Sequence, residues 1–308
     1  MPSPVIGRVG PPPERLADLA AVFSRHLRAE GCAPRTVVLY NQSIRLFSDW
    51  LAANDRPLTT ESMTRRALEA HLADLADRVA PNTVRTRFRG LRRFARWLAL
   101  EGELPGNPLD GVKQPTAPEA PVAILTDEEV TRLLKACAGT DFAARRNEAI
   151  VRLFLDTGMR IAEMAGLTLE DLDLDLEVAH VLGKGSRRRA CPFGPRTARA
   201  LDRYLRQRRG HKLATRPALF LGQRGALSRD GLDELLRMLA VKAGVQHLHA
   251  HRFRHTFSHR WLAAGGQERD LMRLNGWRSP EMLSRYASST ADVRAREAHR
   301  RMALGETL

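Results

Sequence analysis

The chain has 308 residues, with 50 Lys+Arg against 35 Asp+Glu and a formal net charge of +15, an excess that points to a polyanionic partner. That length accommodates two domains with separate cores; no apolar run is long enough for a membrane span, and MPSPVIGRVGPPPER at the start lacks the apolar core of a signal peptide. Three widely spaced cysteines, Cys32, Cys137 and Cys191, form no pair with metal-ligand spacing, so a reduced, cytoplasmic protein is expected, with a single disulfide left open.

Residues 1–13 are rich in Pro and Gly and are expected to be disordered. From Glu14 the apolar spacing is helical. ERLADLAAVFSRHLRAEG sets Leu16, Leu19, Ala20, Phe23 and Leu27 on one face and stops at Gly31. APRTVVLYNQSIRLFSDWLAAN carries Val37, Tyr40, Ile44, Phe47 and Leu51 as its stripe, and a third helix is expected over about 61–78. The fourth, PNTVRTRFRGLRRFARWLALEG, starts after Pro81 and buries Val84, Phe88, Leu91, Phe94 and Leu98. Its other face shows Arg85, Arg89, Arg92, Arg93 and Arg96, which suits either a phosphate backbone or a merely solvated helix.

Residues 104–123, LPGNPLDGVKQPTAPEAPVA, hold five prolines and two glycines and read as a linker long enough to let two domains sit on opposite sides of a cylinder. Residues 14–103 are then one helical domain and 124–308 a second, which opens on Thr126 as N-cap. Net charge is about +3 over 14–110 and about +10 over 119–308. The densest stretch, Lys184 to Arg209, carries ten basic side chains and one acid, Asp202. LDLDLEVAHVLGKGSRRRACPFG alternates and turns at Gly183-Lys184-Gly185, predicting a small antiparallel sheet with Lys184 at a hairpin tip. Helices resume at about 195–210, 228–242, 250–264, 267–274, 280–287 and 291–302.

Four clusters in the second domain carry polar groups suited to phosphoryl transfer. In DTGMRIAEMAGL a Thr157-Gly158 break precedes Arg160, and Glu163 one turn on can hold the guanidinium fork, although such pairs are also common on surfaces. In LGKGSRRR a glycine-flanked lysine can extend into a groove; the glycines and the following Ser/Thr lack the spacing of a nucleotide-binding P-loop. HLHAHRFRHTFSHR places His251 and Arg254 three apart on one helical face, with His255 and His259 as packing residues. Histidines at i and i+4 can chelate zinc, but no glutamate in the helix and no acidic third ligand stand nearby. In LNGWRSPEMLSRYASST, Asn275-Gly276 is a helix stop, Ser279-Pro280 a helix start, and Tyr286 follows Trp277 by nine residues. By itself a tyrosine there is more often core than nucleophile. Tyr204, in ALDRYLRQRRG, reads as packing.

The order of these elements resembles the tyrosine recombinase (phage integrase) family across nearly the whole chain: Arg in TGMRIAEM, Lys in GKG, HRFRH, then GW and a tyrosine. The resemblance implies a mainly α fold, with a four-helix SAM-like DNA-binding domain and a mostly helical catalytic domain bearing a small antiparallel β-sheet. The simple layout is most like Xer-type recombinases. It implies a site-specific recombinase in which Tyr286 attacks a DNA phosphorus, leaving a 3′-phosphotyrosine and a free 5′-hydroxyl. Arg160 and Arg254 would bind the non-bridging oxygens, Lys184 would protonate the leaving 5′-oxygen, His251 would act on the tyrosine proton, and Glu163 would orient Arg160.

The family commonly has histidine where Trp277 stands. Indole offers one N–H and no exchangeable proton near neutral pH, so Trp277 would donate and pack while the proton falls to His251 or water. Neither metal nor ATP is implied. The implied partners are double-stranded DNA with a specific site and further copies, a tetramer on DNA built through the tail ADVRAREAHRRMALGETL, with a second recombinase or directionality factor left open. Arg85, Arg89, Arg92, Arg187 and Arg188 are candidates for DNA contact. A non-catalytic DNA-binding regulator and a type IB topoisomerase-like enzyme are the alternatives.

Overall fold

The computed structural model describes residues 15–116, 123–183, 187–277, 279, 280, 283, 296, 299 and 300. Among these are eleven α-helices and one three-stranded antiparallel sheet. The chain divides into two compact units, Met1–Glu119 and Ala120–Leu308. No helix among the described residues is long and apolar enough to cross a membrane.

The first unit is built from α1 (Leu16–Ala29), α2 (Pro34–Ala53), α3 (Arg65–Ala76) and α4 (Pro81–Glu101). Pro34 and Pro81 stand at the first helical position, where a missing N–H costs no intrahelical bond. The stripes read from the sequence are the buried ones: Leu16, Leu19, Phe23 and Leu27 meet Val37, Ile44, Phe47 and Leu51 around Phe88, Leu91, Phe94 and Leu98. The third helix is shorter than expected. Thr60–Ser62 form a 3-10 turn, and the Thr64 side chain, accepting from the Ala67 N–H at 3.2 Å, caps a helix that begins only at Arg65.

Nor does the linker begin at residue 104. Leu104 and Leu109 are buried in the first unit's core with Val112 packed against it, and Arg65 donates to the carbonyls of Pro108 and Asp110. Prolines break helical periodicity, but they do not stop two leucines from docking.

Where α2 crosses α4 the approach is close. A Cβ on Gly90 would lie 2.6 Å from Ser43 Oγ and 2.9 Å from Ser43 Cβ. Gly90→Ala is therefore expected to destabilise the first unit by about 1–3 kcal/mol through overpacking. Adding Ser43→Gly should recover part of that loss in urea titrations; equal stability of Gly90→Ala and the parent would contradict this packing.

The second unit opens with α5 (Asp127–Ala136), capped by Thr126, whose hydroxyl accepts from the Glu129 N–H while Glu129 Oε2 accepts from the Thr126 N–H. At its centre runs α6 (Phe142–Thr157), which contributes Ala149, Ile150, Val151, Leu153 and Phe154 to the core. After α7 (Ile161–Gly166) the sheet follows: β1 (Leu172–Asp173), β2 (Val178–Gly183) and β3 (Arg187–Pro192), with Ala179 opposite Cys191 and Val181 opposite Arg189. Helices α8 (Pro195–Arg209), α9 (Arg229–Ala243), α10 (Ala250–Ala263) and α11 (Glu268–Asn275) complete the described part.

Helix α6 packs against both α8 and α10, with Phe154 stacked on Phe253 at 5.5 Å between ring centroids. Tyr204 is buried; its hydroxyl donates to the Leu219 carbonyl and accepts from the Leu221 N–H, both at 3.0 Å. All three cysteines are free, and burial pushes the thiols of Cys137 and Cys191 up to about 12 and about 11. The helices expected over 280–287 and 291–302 fall almost wholly outside the described residues.

Candidate active site

The site starts at the turn between α6 and α7. Thr157 ends the helix, and Gly158 turns the chain in the left-handed region at φ 56°. A Cβ there would also stand 2.6 Å from the Phe257 ring, so this position is restricted to glycine twice over. Two residues on, the Arg160 N–H donates to Glu163 Oε2 at 2.7 Å and its Nη1 donates to Glu163 Oε1 at 2.9 Å.

Glu163 serves a second arginine that sequence reasoning missed. Arg189, on β3, donates Nη1 to Oε1 at 2.7 Å and Nη2 to Oε2 at 2.8 Å, while its Nε donates to the Leu274 carbonyl at 2.8 Å. The Glu163 side chain is only 5% exposed. Burial pushes its pKa up, yet the Arg189 hydrogen bonds, the Arg160 N–H and both guanidinium charges outweigh that and hold it at about 2. Strand alternation held the clue, because Arg189 shares a face with buried Cys191 and sits opposite buried Val181.

Helix α10 supplies the other wall. Its N-cap is His249, whose Nδ1 accepts from the Arg252 N–H at 3.2 Å. Arg254 is 2% exposed and donates Nη1 to the Gly158 carbonyl at 2.9 Å and Nη2 to the Asn275 carbonyl at 2.5 Å. The Asn275 side chain donates to Ser258 Oγ at 3.0 Å, and Ser258 Oγ donates to the Arg254 carbonyl, so the end of α11 is fastened to α10. Gly276, at φ 62°, ends α11 as expected and turns the chain to buried Trp277, whose ring lies 5.4 Å from Arg254 Cζ. A desolvated cation–π contact of this kind contributes on the order of 1–2 kcal/mol.

His251 is solvent-accessible, but the protein packed about its ring lowers its pKa by desolvation first, then through Arg254, His249 and Arg160. Arg254 binds the Gly158 carbonyl, two residues before Arg160. The His255 ring stands 5.4 Å from that of His251.

Arg160, Glu163, His251, Arg254 and Trp277 are thus brought together from three helices and the turns flanking them. Lys184 and Tyr286 lie outside the described residues; β2 ends at Gly183 and β3 begins at Arg187, on either side of the lysine. On α4, Arg89 and Arg92 are exposed and Arg85 half-buried. Arg188 is exposed on β3, and the Arg187 backbone pairs with Gly183 while its side chain lies outside the described residues.

Residues 123–292 match the model of the phage integrase family, and residues 19–102 match that of the phage integrase N-terminal SAM-like domain. The chain belongs to the phage integrase family. It is a tyrosine recombinase of the Xer type, a site-specific recombinase. It is 32% identical to tyrosine recombinase XerD of Bifidobacterium longum, over 84% of this chain and 88% of that protein. To tyrosine recombinase XerC of Myxococcus xanthus it is 31% identical, over 89% of this chain and 94% of that one.

Among solved structures, XerH site-specific recombinase bound to a palindromic difH substrate, a post-cleavage complex, shares the fold at TM-score 0.73 and 18% identity, covering 92% of this chain and 84% of that one. The Tn1549 transposon integrase in complex with transposon right-end DNA does so at 0.71 and 23%, over 94% of this chain and all of that one. These matches do not favour the regulator or topoisomerase readings.

Not every arginine of the recombinase's basic motifs faces outward. Arg252 donates to the carbonyls of Gln246 and Ile124 and to Glu129, joining α10 to the start of α5. Arg208 is buried and donates to the carbonyls of Ala214, Arg216, Ala218 and Leu219, folding the loop after α8 onto that helix. Sequence alone could not separate these from DNA-facing arginines, because backbone carbonyl acceptors carry no sequence signature.

Proposed function

We propose that Tyr286 attacks the scissile phosphorus of one strand of a duplex. The bond from its oxygen to phosphorus forms and the bond from phosphorus to O5′ breaks, giving a 3′-phosphotyrosine and a 5′-hydroxyl. The tyrosine proton passes to His251 or to water, and Lys184 supplies the proton that O5′ takes up. His251 suits an acceptor role: with its pKa lowered, its ring is neutral at pH 7. Arg160 and Arg254 hold the non-bridging oxygens, preorganised donors that contribute on the order of 10²–10³-fold each. Trp277 packs beside Arg254 and donates rather than exchanging a proton. Religation reverses the steps and draws on the bond energy kept in the phosphotyrosine, without metal or nucleotide.

The observation that carries this reading is the bond from Arg254 to the Gly158 carbonyl, which sets one phosphate-binding arginine beside the turn that presents the other. We assign residues 14–112 to core DNA binding through Arg85, Arg89 and Arg92, the residues from 113 to 123 to the connection, and residues 124–308 to catalysis with Arg187 and Arg188 at the DNA. The partners are double-stranded DNA with a specific recombination site and further copies, as a tetramer, in the cytoplasm. The DNA-bound complexes of the XerH recombinase and the transposon integrase support DNA as partner.

Incubation with a nicked cognate site should trap a covalent complex that Tyr286→Phe does not form. Trapping that persists in Tyr286→Phe would sink the assignment of the nucleophile.

A further inference from the structure

Polar contacts and one peptide unit link Arg160 to Arg254, and Arg189 is the middle member. Both its terminal nitrogens bind Glu163, at 2.7 and 2.8 Å, and Glu163 in turn holds Arg160 through the backbone N–H and Nη1. Its Nε binds the Leu274 carbonyl at 2.8 Å, and the next carbonyl, that of Asn275, accepts from Arg254 at 2.5 Å. All three guanidinium nitrogens therefore donate within the protein, and the side chain is 11% exposed. The fit extends to Gly276, where a Cβ would rest 3.6 Å from Arg189 Cδ and Nη1.

An ordinary buried ion pair fastens two elements. This one fastens three, β3, α7 and the end of α11, and each of the two helices carries a contact to a phosphate-binding arginine. Only a planar fork with a third N–H at a fixed angle can make those bonds together; a lysine ammonium preserves the charge and loses the geometry.

We propose that Arg189 is a positioning residue for strand cleavage: it sets the separation of Arg160 and Arg254 so that both guanidinium groups reach the same phosphate. The proposal rests on the roles given above to those two arginines, and it adds a residue that touches no DNA.

The test uses the full chain carrying R189K or R189Q, the first keeping a charge opposite Glu163 and the second a planar amide. Covalent complex formation on a nicked site is measured with an ordinary scissile phosphodiester and with a methylphosphonate, in which a methyl group replaces one charged oxygen. Rates are normalised to the folded fraction given by circular dichroism and urea titration. A displacement of reacting groups by about 1 Å costs on the order of 10²-fold, and that is the loss expected for both variants on the phosphodiester. On the methylphosphonate there is less charge for the two arginines to neutralise, so the deficit relative to the parent should shrink several-fold. Equal deficits on both substrates, or R189K cleaving at the parental rate, would overturn the proposal. Parent and Tyr286→Phe proteins run alongside, so failure of the nucleophile assignment is read separately, from trapping by Tyr286→Phe.

Discussion

Gly158→Ala is expected to lose cleavage on the order of 10²-fold and to destabilise the second unit as well. An L-residue held in the left-handed region costs about 1–2 kcal/mol. A methyl group driven to 2.6 Å from the Phe257 ring adds an overpacking cost of about 1–3 kcal/mol. The rate effect has a separate origin. The Gly158 carbonyl is the acceptor for Arg254, and the chain reaches Arg160 two residues later, so any relaxation of the turn moves both guanidinium groups. The double variant Gly158→Ala with Phe257→Ala should remove the ring clash, leaving a 3.1 Å approach to the Cβ of residue 257 and the backbone cost. Thermal melting then separates the two terms, and trapping rates per folded molecule report the geometry. A Gly158→Ala protein with parental melting and parental trapping would show that the turn has slack.

His71 should make the first unit acid-sensitive. It is 1% exposed, set edge-on against the rings of Phe47 and Trp50, and neither ring nitrogen has a hydrogen-bond partner. Burial lowers its pKa from 6.5 to about 4, with the charge of Asp74 opposing and that of Arg78 assisting. The sign follows from proton uptake. Below 6.5 the unfolded chain binds a proton that the folded unit refuses, so stability is full above that pH and declines as pH falls towards 4. The whole interval amounts to about 3 kcal/mol. His71→Leu should abolish this acid slope. It should also leave the neutral-pH stability equal or higher, because an apolar side chain replaces two unsatisfied nitrogens. Hydrogen exchange of the α3 amides in the full chain, followed from pH 7 to pH 4.5, reads the effect in place; an unchanged slope in His71→Leu would refute it.

Both features were partly legible in the sequence. Helical periodicity exposes faces, so the apolar stripes of α1, α2 and α4 and the Gly158 break could be read directly. Alternation followed by Gly-Lys-Gly placed the sheet, and the Thr126 cap is a local signal complete within four residues. What periodicity does not expose is the partner of a face. His71 falls on the buried side of α3, but only the packed core shows that nothing polar waits for it there. Arg254 was legible as a candidate, whereas its two carbonyl acceptors lie far from it along the chain and could not be inferred. The sharing of Glu163 between Arg160 and Arg189 is likewise a long-range fact, settled by the register of β3 against β2.

The interior arginines have a consequence for how the recombinase meets a polyelectrolyte. Arg208 and Arg252 are buried and bound to carbonyls, and Arg189 is nearly so. Ions condensed on a duplex are displaced only by cations that approach the phosphates from outside. A guanidinium enclosed among carbonyls and carboxylates raises the formal charge of the chain without joining that exchange. The duplex therefore meets a less cationic surface than the amino-acid count implies, and the ionic-strength dependence of binding follows the cations that reach the phosphates.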